Sequence, residues 1–221
     1  MGLLNPTITA MIVRGLGETL YMTLLSTLLA YLFGLPLGIA LVVTEKDGIR
    51  PQVRLNSILG LGINVLRSVP FLILLVAVIP ITRFIVGKII GSNATVVPLV
   101  IAAAPFIARL VESSIKEVDK GVIEAAQSMG ASPFQIIYKV MLPEALPSLI
   151  VGAAIAVTTI LSYSAMAGFV GGGGLGTIAI NYGFYRYQKG IMFLTVALLV
   201  IIVQVLQEIG TKLANLSDKR N

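Results

Sequence analysis

Five apolar blocks, each about as long as a bilayer core requires, limit what this chain can fold into. They cover approximately 19–43, 57–80, 94–111, 148–169 and 191–209. Roughly twenty helical residues rise about 30 Å, the thickness of the hydrocarbon layer. Burying five such helices in a soluble fold would take a polar shell. Only 12% of the residues are charged, against 57% hydrophobic, whereas soluble domains carry about 25% charged side chains. The expected fold is therefore all-α and polytopic, one transmembrane domain over 1–221, with a polar loop of about 112–147 between the third and fourth spans.

The chain has no Cys and no His. Disulfides, thiol chemistry, imidazole catalysis and ordinary zinc sites are excluded. No catalytic residue, metal ligand or cofactor is assigned. The net charge of +6 does not point to nucleic acid, because the basic residues are spread along the loops. The first ten residues carry no positive n-region, so no cleavable leader is expected, and the first span should stay in the membrane. Arg14 and Glu18 form an i,i+4 pair at the mouth of that span.

The same charges set an orientation. Lys46, Arg50, Arg54, Lys116, Lys120, Lys139, Lys212, Lys219 and Arg220 make nine on one side; Arg14, Arg83, Lys88, Arg186 and Lys189 make five on the other. Basic residues in short loops stay cytoplasmic, which puts the N-terminus outside and the C-terminus inside. Tyr182, Phe184, Tyr185 and Tyr187 then stand at the outer interface before the fifth span.

Several positions within the spans carry more than hydrophobicity. Pro36, between Gly34 and Gly38, predicts a kink and a close helix approach. Pro105 predicts a bend in the third span. Arg67 stands near the middle of the second block, where a charge costs about 2.5–3.5 kcal/mol. It reads either as a gate or lining residue, or as a cation that snorkels from a span beginning late. Arg109 and Glu112, three apart, predict a local pair or a contact to the polar loop. Thr158, Thr159, Ser162, Tyr163, Ser164 and Met166 make the fourth span unusually polar, and should face the bundle interior. Small hydroxyls and Met166 suit a passage, and they suit helix packing equally. The Gly171–Gly174 run lacks the Lys-Ser or Lys-Thr of a phosphate cradle, which leaves a flexible outer loop or a re-entrant turn.

The third loop reads as two short helices around a hinge. Asp119 can cap a helix from Lys120 to Met129, which Gly130 ends in a left-handed C-cap. Ser132 as N-cap, Pro133 at the first helical position and Gln135 at the third form a capping box that restarts the helix. Pro143 is expected to stop it, and Pro147 to open the fourth span. Ala125 and Ala126 leave little bulk, so another surface can approach the backbone, and Glu124 can be held across such a contact.

Glu124-Ala125-Ala126-(x)3-Gly130-(x)9-Val140-x-Leu142-Pro143 resembles the signature of inner-membrane permease subunits of bacterial ABC importers, with Val140 where the family usually has isoleucine. The resemblance covers nearly the whole chain, from Gly15-(x)2-Glu18-Thr19-Leu20 through the fifth span. Closer matches are to methionine-import permeases: Arg67-Ser68-Val69-Pro70-Phe71, Ala104 to Arg109, Leu142 to Pro147, and Tyr163-Ser164-Ala165-Met166-x-Gly168. The resemblance implies a type I importer permease working as a homodimer. It also implies two cytoplasmic ATP-hydrolysing subunits and an outer, soluble or lipid-anchored binding protein that delivers the amino acid. Residues from Val122 to Phe134, with Glu124, Ala125, Ala126, Met129, Gly130, Ser132, Pro133 and Phe134 among them, would supply the coupling helix. Arg67, Thr158, Thr159, Ser162 and Met166 remain the candidates for pathway or gate. The alternatives are a permease for another small amino acid, an ion-driven transporter or channel, and a membrane scaffold. The ion-driven class usually asks for inverted repeats or an intramembrane carboxylate, and neither is evident.

Overall fold

The apolar blocks become helices, and most run past the limits hydropathy sets. The structure, a computed structural model, describes residues 6–217. Lys219 and Arg220, counted for orientation, lie outside them. Helix α1 spans Pro6–Thr44, α2 Val53–Ser68, α3 Phe71–Ala77, α4 Ile79–Val86 and α5 Ser92–Lys116. The polar loop holds α6 (Lys120–Ser128), α7 (Pro133–Ile136), a π-helical turn Ile137–Met141 and α8 (Leu142–Glu144). Then follow α9 (Leu146–Met166), a 3-10 turn Ala167–Val170, α10 (Gly174–Ile178), a second π-helical turn Ala179–Phe184 and α11 (Lys189–Ser217). No strand occurs among the described residues.

Four stretches are long and apolar enough to cross a membrane: Pro6–Thr44, Ser92–Lys116, Leu146–Phe184 and Lys189–Ser217. The bent pair α2 and α3 supplies a fifth if counted as one span. The all-α, five-span expectation is met, with two corrections and one extension. Block 57–80 is not one helix, because α2 ends at Ser68 and Pro70 is extended (ψ 135°) ahead of α3. Proline disfavours helical backbone in the residue before it, so Val69-Pro70 interrupts the span. Helix α1 extends ahead of the apolar block that starts near 19, so the Arg14–Glu18 pair at the mouth of the span is carried on continuous helix. Pro143 does not stop the chain's helical course. The Leu142 N–H bonds to the Ile137 carbonyl across the wider π turn, and Pro143 falls in the first turn of α8, where its missing donor costs little.

Two compact units make up the chain: Met1–Leu29 with Val69–Ala103 and Val157–Gln207, and Ala30–Ser68 with Ala104–Ala156 and Glu208–Asn221. In the first, Ile12, Leu175, Ile178 and Ile191 form a buried cluster, and Phe71 stacks on Tyr163 with centroids 4.5 Å apart. In the second, Leu41, Ile63 and Ala108 are buried together. Helix α1 runs unbroken through Pro36, and the flanking glycines do what their spacing suggests. A Cβ on Gly34 would stand 2.7 Å from the Ala104 carbonyl oxygen, and one on Gly38 2.6 Å from that of Ala108. Two helix backbones therefore meet with no side chain between them. Asn56 closes the same unit by donating to the Leu41 carbonyl at 2.6 Å and to the Thr44 hydroxyl at 3.2 Å. Leu24, Leu28 and Leu32 on α1 are exposed four residues apart, a stripe suited to lipid.

Candidate functional site

In the polar loop α6 is capped at both ends and α7 at its start, and each cap is written locally. Asp119 is extended (φ −60°, ψ 128°), and its carboxylate accepts the Gly121 N–H at 2.7 Å. At the other end of α6, Gly130 takes φ +77°. Its N–H bonds to the Gln127 carbonyl at 2.9 Å, and the Ala131 N–H to that of Ala126 at 3.1 Å. These paired bonds form a Schellman motif, with glycine at the left-handed position. Ser132 and Gln135 then complete a reciprocal box: the Gln135 N–H donates to the Ser132 hydroxyl at 3.4 Å, and the Ser132 N–H to the Gln135 side chain at 2.8 Å. Pro133 occupies the first turn. Two helices are thereby joined by a connection with few conformations open to it.

Among the polar residues this segment exposes, three large apolar side chains stand out. Met129 is 81% exposed, Phe134 74% and Tyr138 66%, and the Phe134 and Tyr138 rings lie nearly parallel with centroids 6.0 Å apart. Of the two alanines, Ala126 is buried and Ala125 exposed. Glu124 is exposed at the edge of a cavity that Glu45, Asp47, Lys116, Lys120 and Met141 also line. Sequence reasoning missed Tyr138. The available signal was its i+4 spacing from Phe134 on the same expected helix, which was not followed beyond Phe134.

An ion-pair network borders the loop. Arg109 donates to Glu112 at 2.6 Å, to the Asn64 side chain at 2.8 Å and to the Gly60 carbonyl at 3.3 Å. Lys116 reaches Glu112 at 3.0 Å and Glu45 at 3.1 Å. Arg109 and Glu112 do form the expected local pair, and the further contacts run to α2 rather than to α6. Arg109→Met should leave Glu112 with a single cation and the Asn64 side-chain oxygen without its arginine donor. A loss of about 2 kcal/mol is expected, read as a fall in the apparent Tm of the purified protein.

The pathway candidates separate. Arg67 lies in the last turn of α2, exposed, and makes no hydrogen bond or ion pair among the described residues. It stands at the end of α2, beside the break between α2 and α3. On α9, Ser164 is buried, Thr158 and Thr159 are half-buried, and Ser162 and Met166 are exposed. The inward-facing cluster expected from sequence is thus only partly inward within one chain. Ser162 and Met166 line a groove with Phe169, Gly176, Ile180 and Gln204. Arg67 is not among the groove's lining residues. The glycine run is an ordered turn. The Gly91 N–H bonds to the Gly171 carbonyl at 3.0 Å, and the Thr95 hydroxyl to that of Gly172 at 3.1 Å.

The family described as binding-protein-dependent transport system inner membrane component matches residues 34–213. The chain is 52% identical over 203 residues to a probable D-methionine transport system permease protein, MetI, of Vibrio cholerae serotype O1, covering 92% of this chain and 90% of that one. It is 44% identical over 180 residues to the methionine import system permease protein MetP of Bacillus subtilis, covering 81% of each. Among solved structures, a chain of the MetNI methionine ABC transporter in inward-facing conformations superposes with a TM-score of 0.96 at 44% identity, over 98% of this chain and 100% of that one.

Proposed function

Because the chain belongs to the family of inner membrane components of binding-protein-dependent transport systems, we propose that it forms, as a homodimer, the passage of an ATP-driven methionine importer. Identity of 44–52% to methionine permeases over most of the chain supports the substrate. The observation that carries the division of labour is the capped segment of α6 and α7, with three large apolar side chains exposed. Met129, Phe134 and Tyr138 would be costly to leave in water, and they suit a cleft on a soluble subunit. Two cytoplasmic ATP-binding subunits take one segment each and hydrolyse the nucleotide. A binding protein delivers the amino acid from outside. The N-terminus lies outside and the C-terminus inside, an orientation that the nine-to-five split of basic residues supports.

Force then enters as displacement. A segment closed by a Schellman motif and a capping box resists bending, so closure of the ATP-binding subunits moves it as a piece. That movement tilts the spans it joins at Val118 and Pro147 and opens the passage outward. Nucleotide release restores the inward opening. Specificity can reside mainly in the delivery protein, which fits a groove lined by Ser162 and Met166 without a charge.

Purification in mild detergent tests this directly. A stoichiometric ATP-hydrolysing partner is expected, with no ATPase activity in the isolated permease; an ion-driven transporter or a scaffold brings no such partner. Methionine should then compete for transport by the complete complex. Competition by another small amino acid alone would reassign the substrate and leave the importer in place.

A further inference from the structure

Two sequence features that the docking segment leaves unexplained, Gly15-(x)2-Glu18-Thr19 and the glycine run, meet in the structure. Glu18 accepts the Gly174 N–H at 2.8 Å through one carboxylate oxygen, and its other oxygen takes the Arg14 Nε at 2.9 Å. Thr19, almost wholly buried, accepts the Leu175 N–H at 2.8 Å and donates to the Gly15 carbonyl at 2.9 Å. The hydroxyl is thereby used as both donor and acceptor. The Gly173 N–H turns back to the Thr177 hydroxyl at 2.8 Å. The first backbone donors of α10 are thus held by side chains of α1, one of them through a charge-assisted bond.

Helix α10 also lies directly on the end of α9. A Cβ on Gly176 would stand 2.7 Å from the Ala165 Cα, and one on Gly168 2.7 Å from the Gly176 carbonyl oxygen. Gly176, Ala179 and Ile180 form the wall of the groove facing Ser162 and Met166. Whatever fixes the start of α10 therefore fixes that wall.

We propose that Glu18 and Thr19 are positioning residues for transport: by holding Gly174 and Leu175, they set the width of the groove that Ser162 and Met166 line. Neither side chain touches the substrate, and Arg14 serves to orient Glu18. The inference rests on the groove being part of the passage.

Transport by the reconstituted complex, normalised to assembled complex, separates positioning from mere folding. Thr19→Val keeps the shape of the side chain and removes both hydrogen bonds; Thr19→Ser keeps them. Thr19→Val is expected to raise the apparent KM about tenfold, with Thr19→Ser within about twofold of the parent. In this cysteine-free chain, Ile180→Cys should react about fivefold faster with a hydrophilic maleimide when Thr19→Val is added. An unchanged KM and unchanged labelling in Thr19→Val overturn the proposal. Should that variant not assemble, Glu18→Gln keeps an acceptor without its charge and is judged by the same two measurements. A rise in KM of about threefold supports the proposal, and parental values overturn it. The groove itself is tested apart. If Ser162→Cys and Met166→Cys neither react nor block transport when treated with the reagent, the passage reading fails. If they do and the Thr19 variants are silent, only the positioning role fails.

Discussion

Gly130→Val is expected to abolish most transport while leaving the protein in the membrane and folded. A Cβ at Gly130 meets nothing within 4 Å, so no clash is involved. The damage comes from φ +77°, where an L-residue costs about 1–2 kcal/mol and a β-branched one more. The chain escapes that cost by leaving the left-handed region, which breaks the bonds from Gly130 to Gln127 and from Ala131 to Ala126. Helix α6 then loses its fixed angle to α7. Reconstituted transport should fall at least about tenfold, the ratio that 1.4 kcal/mol represents, with detergent-extracted yield near the parent's. Gly130→Asn, which tolerates the left-handed region, should retain most activity. Parental transport in Gly130→Val would falsify the rigid-lever account.

Gly38→Leu should do the opposite, failing before transport can be measured. Here the obstacle is matter: the added Cβ would lie 2.6 Å from both the Ala108 carbonyl oxygen and the Val111 Cβ. A carbonyl in a continuous helix cannot withdraw alone, so α1 and α5 must separate along their contact. Overpacking typically costs 1–3 kcal/mol, and a leucine against backbone belongs at or above about 3 kcal/mol. The expected result is loss of monodisperse protein on mild heating in detergent. Gly62→Ala is the control. Nothing lies within 4 Å of that position on α2, and alanine there should raise stability by up to about 1 kcal/mol. Equal heat resistance in all three proteins would remove the close-approach argument.

Where structure is decided by neighbours in sequence, the residues announced it. Asp119, Gly130 and the Ser132–Gln135 box are caps whose partners lie within a few positions, and all appear as read. Gly34 and Gly38 foretold a close approach without naming its partner, because spacing fixes a helix face and not what packs on it. Pro70 and Pro143 were misjudged in opposite senses. Averaged hydropathy ran across Pro70, although the residue before a proline resists helix. Pro143 looked like a stop because the π turn before it has no residue signature. The ties from Glu18 and Thr19 to Gly174 and Leu175 span 156 positions, and no local pattern pairs a carboxylate with a distant backbone donor. The hydroxyls of the fourth span were grouped by polarity, with Met166 added as a closing residue, and polarity did not separate buried Ser164 from exposed Ser162.

The Arg109 network also bears on how the protein is made. Three of its acceptors precede both cations in the chain, Glu45, then Gly60 and Asn64, while Glu112 lies between Arg109 and Lys116. A ribosome therefore delivers the α2 hosts of Arg109 to the insertion machinery before the arginine itself. An arginine entering lipid alone costs about 2.5–3.5 kcal/mol, and this one arrives with its α2 hosts already synthesised and Glu112 three residues behind. Order of synthesis thus puts neutral hosts ahead of the cation, and moving the arginine to α2 and its hosts to α5 would reverse that order even if the finished fold kept every bond.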